Sequence, residues 1–302
     1  MRRLLLPLSL TLPFLSGCLT FHRGAMPGEP ADATFADVEG ARVRYVDMGP
    51  SDAPAVVLLH GFASALETWS AIMPQLAEKH RVLALDLKGF GWTDRPEGDY
   101  SPQAQARLVL ALMDARGIQK ASVVGHSWGA SVALAMALAA PNRVEKLVIY
   151  DGWMYEEQLP TVFHWARAGG VGEFLFALYY DQRADEKMEL AFYDRRFVTE
   201  RLVETVEQAL DRPGTKAAAL AAVRGQRFTE MQERYRTIQQ DTLLLWGRED
   251  QVATLANGER LSKELPRARL VVYPQCGHFP MIEAQAPSTR DLVKFLDLAR
   301  GK

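Results

Sequence analysis

Gly125-His126-Ser127-Trp128-Gly129 lies between the apolar run Ala121 to Val124 and an alanine-rich stretch that ends at Ala140. Small residues two before and two after a serine are what a sharp strand-to-helix turn demands, and such a turn pushes the hydroxyl out of the fold. The same turn presents the Trp128 amide at a helix N-terminus, where unsatisfied N–H groups and the helix dipole favour negative charge. A serine hydroxyl becomes a nucleophile only when a base takes its proton and a third group orients that base. His278 in "CGHFPMIE" and Asp250 in "LLLWGREDQV" follow the last two strand candidates. The chain order Ser127, Asp250, His278 is the one this turn requires. The chemistry implied is acyl transfer through a covalent intermediate.

Short runs rich in Val, Leu and Ile alternate with helical patterns from Thr34 onward. The strand candidates are 42–47, 55–60, 81–86, 121–126, 146–151, 242–246 and 269–273. Several are continuously apolar, as strands covered on both faces are. The alternation predicts an α/β fold with a mostly parallel sheet flanked by helices, whose ligands sit beyond the carboxyl ends of the strands. His60, Asp86, His126 and Asp151 all fall at those ends. Helix boundaries are legible at Ser101-Pro102 and Gly117, and Ser64 with Glu67 predicts a capping box. Between residues 152 and 240 the strands stop, and helical segments carry aromatics from Trp153 to Phe197. That stretch predicts an inserted helical cap, with most of these rings as its own core and the rest lining an apolar pocket. The core is then residues 34–151 and 241–302.

These segments resemble the α/β-hydrolase superfamily, over Thr34 to the C-terminus apart from the cap. "LLHGFASALETW", "LALDLKGFGWTDRP", "VVGHSWG", "LLLWGREDQV" and "CGHFPMIE" are similar to the capped branch of haloalkane dehalogenases, epoxide hydrolases, C–C bond hydrolases and serine esterases. Dehalogenases and epoxide hydrolases of that branch carry aspartate at the elbow, and this chain carries Ser127. C–C hydrolases carry an asparagine after the His-Gly pair and a tryptophan after the histidine. Residues 60–69 contain no asparagine, and position 279 is Phe. The resemblance therefore implies a serine esterase in which Ser127, Asp250 and His278 form the triad and the backbone amides of Phe62 and Trp128 form the oxyanion hole. It also implies a rival acid, Asp151, with Asp250 at the commoner position. His60, Asp86 and Asp94 are expected to support turns, and Cys276 to pack beside His278. Acyl transfer, perhydrolysis or lyase chemistry on the same triad, and a non-catalytic binding role, remain open on sequence alone.

The six histidines form no i, i+4 pair with a glutamate, so neither a metal nor a cofactor is expected. A net charge of -2 offers no case for nucleic acid, which leaves a small, ester-like substrate. The chain opens with Arg2 and Arg3, an apolar run from Leu4 to Leu15 broken by Pro7 and Pro13, and Leu15-Ser16-Gly17-Cys18. This pattern predicts an export signal over residues 1–17. Residues 15–18 resemble the lipobox of bacterial lipoproteins, which implies lipidation of Cys18 and attachment to a bacterial envelope membrane, the outer rather than the inner. Residues 18–33, rich in Gly and Pro, are expected to form a flexible tether.

Overall fold

The computed structural model describes residues 19–180 and 184–298. The predicted export signal and Cys18 lie outside the described residues. One eight-stranded sheet organises the core: β1 (Thr34–Val38), β2 (Ala41–Met48), β3 (Ala55–Leu59), β4 (Arg81–Leu85), β5 (Ala121–His126), β6 (Val144–Tyr150), β7 (Asp241–Gly247) and β8 (Ala268–Tyr273). Their order across the sheet is β1-β2-β4-β3-β5-β6-β7-β8. The pairs β1/β2 and β2/β4 are antiparallel, and every pair from β4 to β8 is parallel. β1 is the one strand with no counterpart among the sequence candidates. Its edge position leaves it half solvated, without the apolar run that marks the others.

The apolar runs are buried on both faces, as the parallel pairing requires. In β3, Val57 and Leu59 join the core cluster on one side of the sheet, while Val56 and Leu58 join the other. Each such side chain contributes about 1.5–3 kcal/mol on burial. The helix Trp128–Ala139 follows β5 directly and is buried from Trp128 through Ala137, because its run of Ala, Gly and Ser lets it sit close between the sheet and the helix Pro102–Ala115. The latter begins as expected, with Ser101 Oγ accepting from the Ala104 amide, and Gly117 follows its end at φ +69°.

The predicted capping box is replaced by something longer in range. The short 3-10 turn Leu66–Trp69 starts at Ala65 with no side-chain cap of its own. Its leading amide, on Leu66, donates instead to Asp86 Oδ1 at 2.8 Å. Ser64 Oγ pairs with Thr68 Oγ1, and Glu67 pairs with Arg44 at 2.7 Å.

Residues 19–33, expected as a flexible tether, lie along the core. His22 and Arg95 exchange two backbone hydrogen bonds, Gly24 N donates to Asp94 Oδ1, and Glu29 pairs with Arg42. Met26 is buried against Arg95. Backbone pairing of this kind carries no side-chain period, so a pattern search does not see it. Residues 152–240 contain helices and no strand among those described. Phe163, Phe176, Tyr180 and Phe192 are buried there, whereas Trp165, Phe174 and Tyr193 are exposed. Among the described residues no helix is long and apolar enough to cross a membrane.

Candidate active site

The carboxyl ends of the parallel strands share one rim because their registers align: Leu59 faces Gly125, His126 faces Tyr150, Tyr150 faces Leu245, and Gly247 faces Tyr273. The residues just past those ends are His60, Ser127, Asp151, Asp250 and the loop that carries His278.

Ser127 adopts φ 52°, ψ -121°, a strained conformation for a residue with a Cβ. The surroundings enforce it. Its amide donates to Tyr150 O at 3.0 Å, and its carbonyl accepts from Ala130 N and from Trp153 N. A Cβ on Gly125 would stand 2.4 Å from Gly129 O, and one on Gly129 would stand 2.4 Å from Leu59 O and 2.5 Å from His60 O. All of these are backbone atoms, which have no rotamer by which to move away. Gly129→Ala is therefore expected to lose about 3 kcal/mol of stability, the upper range for overpacking. Urea titration reads this loss, and a near-wild-type midpoint would refute the tight-turn account.

His278 Nδ1 lies 2.8 Å from Asp250 Oδ2, and the carboxylate fixes Nδ1 as the donor, which leaves Nε2 bare to take a proton. Asp250 Oδ1 accepts from the amides of Val252 and Ala253, so both oxygens are held. No hydrogen bond joins the Ser127 hydroxyl to the imidazole among the described residues. Such links tighten when substrate binds. The residue before Ser127 nonetheless meets His278, since His126 Nε2 donates to His278 O at 2.8 Å and the His126 and His278 ring centres lie 4.8 Å apart. Burial holds the His126 pKa well below the usual histidine range, so it is a neutral donor here.

Asp151 is fully buried, at φ 42°, with Oδ1 accepting from Gly247 N and Oδ2 without a partner in hydrogen-bond geometry. Its carboxyl, that of Asp250 and the His278 ring offer atoms within 4.8 Å of one another. Burial first, and then the neighbouring Asp250 carboxylate, push the Asp151 pKa well above its usual value. Asp151 therefore stands beside the Asp250–His278 pair with its charged form disfavoured and makes no hydrogen bond with Nδ1.

The amides of Phe62 and Trp128 donate to no group among the described residues. A Cβ on Gly61 would approach Ser127 Cβ to 3.1 Å, so the turn that carries Phe62 closes directly over the serine. His60 lies beneath it, with Nδ1 donating to Gly61 O and Nε2 accepting from Leu87 N, and burial lowers its pKa. Asp86 accepts from the amides of Leu66 and Trp92, and Asp94 from those of Gly24 and Arg42. His60 and Asp86 thus support turns, as expected, whereas Asp94 ties the N-terminal segment to β2. Aromatic rings flank both ends of the site: Phe62 contacts Phe90, Trp128 and cap residue Phe163, while Phe279 stacks on cap residue Phe192. A surface groove of about 970 Å³ lies elsewhere, lined by residues such as Leu19, Tyr100, Arg167 and Arg224 and by none of the rim residues.

Cys276 is buried next to this loop, its Sγ 3.7 Å from Gly277 O, and burial pushes its thiol pKa up. In a Cys18→Ser background the folded protein is expected to give no reaction with DTNB at pH 8 and one equivalent in guanidinium. Prompt reaction of the folded protein would show that the loop opens. Two residues that sequence reasoning left without a role, His126 and Glu283, contact the backbone on either side of the His278 ring. The acid five residues past the histidine was the only signal for Glu283.

Residues 54–285 match the family described as alpha/beta hydrolase fold. The chain is similar to the 2-hydroxymuconate semialdehyde hydrolase of a Pseudomonas species, 31% identical over 76% of this chain and 82% of that protein. It is also similar to the 2-hydroxy-6-oxo-2,4-heptadienoate hydrolase of Pseudomonas putida, 29% identical over 85% of this chain and 93% of that protein. Among solved structures, the meta-cleavage product hydrolase CumD superposes with a TM-score of 0.74 at 30% identity, covering 88% of this chain and 98% of the other.

Proposed function

Because the chain belongs to the α/β-hydrolase fold family and is a hydrolase of that fold, we propose that it cleaves a carboxylic ester of a small, partly apolar substrate through an acyl-enzyme. In this reading Ser127 Oγ attacks the acyl carbon as His278 Nε2 takes its proton. Asp250 holds the resulting imidazolium, and the free amides of Phe62 and Trp128 receive the oxyanion. The imidazolium returns its proton to the leaving alkoxide, and the C–O bond breaks. Water then attacks the acyl-enzyme with His278 as base, which releases the acid and restores Ser127. Neither a metal nor a cofactor enters any step. The observation that carries this reading is the 2.8 Å His278–Asp250 bond beside a serine forced to φ 52° at the same rim.

Turnover of p-nitrophenyl esters of graded chain length, with a fluorophosphonate probe on the serine, tests it. Absence of labelling, with a control esterase labelled, would remove the reading and bring forward a non-catalytic role.

A second reading is C–C bond hydrolysis, favoured by the activities for which the relatives are named. The absence of asparagine from residues 60–69, and Phe279 in place of tryptophan, support the ester reading over it. Side-by-side kcat/KM on 2-hydroxymuconate semialdehyde and on p-nitrophenyl butyrate separates the two.

We also propose that Cys18 carries a lipid that holds the protein on the bacterial envelope, with the outer membrane the preferred site. The support is Leu15-Ser16-Gly17-Cys18 after a basic, apolar start. Each buried CH₂ of an acyl chain contributes about 0.8 kcal/mol to such attachment. Cys18→Ser is expected to move the protein from the membrane to the soluble fraction on ultracentrifugation, and unchanged fractionation would refute the anchor.

A further inference from the structure

We infer that Glu283 is a positioning residue: its carboxylate ties cap residues 193 and 194 to the loop that carries His278, and so holds the imidazole in its working place. The effect on turnover rests on the triad proposed above, whereas the tie itself is read from contacts alone.

Glu283 closes the short helix Pro280–Glu283. Its Oε1 accepts from the amides of Tyr193 at 2.8 Å and Asp194 at 2.9 Å, and its Oε2 accepts from the amide of Gly277 at 2.7 Å. One side chain thus joins two backbone segments distant in sequence, 193–194 and Gly277, and the second of these immediately precedes His278.

The same two segments meet at three further points. The His278 amide donates to Ala191 O at 2.7 Å, and Phe192 stacks on Phe279 with ring centres 4.8 Å apart and planes 16° from parallel. A Cβ on Gly277 would stand 2.5 Å from Ala191 O and 2.7 Å from Tyr193 N, so the approach needs glycine. From the other side His126 Nε2 grips the His278 carbonyl. Three backbone groups, Gly277 N, His278 N and His278 O, are therefore fixed, the first by Glu283, the second by cap residue Ala191 and the third by His126. Asp250 sets the ring's rotation about its own bonds, but the place from which the ring swings is set by this tie. The carboxylate has no contact with Ser127 or with the imidazole, so its influence passes through the backbone.

The full chain is compared as wild type, Glu283→Gln and Glu283→Ala. Fluorophosphonate labelling counts working serines, p-nitrophenyl acetate gives kcat and KM per labelled site, and hydrogen–deuterium exchange follows residues 191–194 and 276–279. The alanine variant is expected to lose ~100-fold in kcat, the scale of an ångström's misplacement, with KM little changed and both segments exchanging faster together. The glutamine variant keeps one acceptor oxygen and is expected to fall between. A residue that served stability alone would lower the melting temperature and the number of labelled sites and leave kcat per site intact. Wild-type kcat per labelled site in both variants, or in the glutamine variant should the alanine one fail to fold, overturns the proposal. So does wild-type exchange in the two segments. Wild-type protein that fails to label overturns the serine-hydrolase reading instead, and exchange then decides the tie by itself.

Discussion

Ser127→Ala lowers kcat on a p-nitrophenyl ester by ~10⁴ to 10⁶-fold and abolishes fluorophosphonate labelling, while the protein stays folded. On the proposed mechanism the activity loss follows from removing the atom that forms the acyl bond. In that mechanism the Phe62 and Trp128 amides remain to stabilise an oxyanion for attack by water, so a small residual rate is expected. Stability is expected to hold or rise slightly. The hydroxyl has no hydrogen-bond partner among the described residues, and alanine inherits the same φ of 52° without creating a hole. Urea midpoints and kcat measured on one preparation check both halves. A variant that retains more than about a hundredth of the activity would place the nucleophile elsewhere.

Asp250→Asn lowers kcat by ~10⁴-fold, because the amide oxygen stays with the Val252 and Ala253 amides and the NH₂ then donates to Nδ1, which reverses the tautomer that leaves Nε2 bare. Asp151→Asn leaves kcat near wild type. The amide copies the protonated form that the buried site favours, and its oxygen still accepts from Gly247 N. The two variants also differ in how they melt as pH changes. The folded state keeps the Asp151 proton that the unfolded chain releases near pH 4, so the contribution of this residue is complete below about pH 4 and is lost as pH rises through the raised folded value. Asp151→Asn removes that loss, and its melting temperature should gain on wild type as pH is taken from 4 upward. A larger kcat loss at 151 than at 250, or a melting difference that stays flat with pH, would transfer the acid's role to Asp151.

Most of the rim was legible in the sequence because its signals are local. Strands β3, β5 and β7 are unbroken apolar runs, and glycines at 125 and 129 mark a turn whose tightness the contact distances bear out. Asp250 and His278 follow strand ends in the order the elbow requires. What escaped is held by partners far away in the chain. Leu66 is capped by a carboxylate twenty residues on, β1 lies at an edge with half its face in solvent, and residues 19–33 are secured by backbone pairing with Arg95. Glu283 was visible only as an acid near a histidine. Two of its three acceptor contacts exist because the cap returns to the loop, which no window of sequence contains.

The pinned N-terminal segment bears on how the protein would sit on a bilayer. Leu19 and Phe21 already pack on the core, and one residue advances the chain by only ~3.8 Å. A lipid on Cys18 would have no leash. The body would ride with the face around Leu19 and Tyr100 pressed to the headgroups, instead of sweeping a hemisphere at the end of a string, and its orientation toward molecules leaving the membrane would be fixed by the fold.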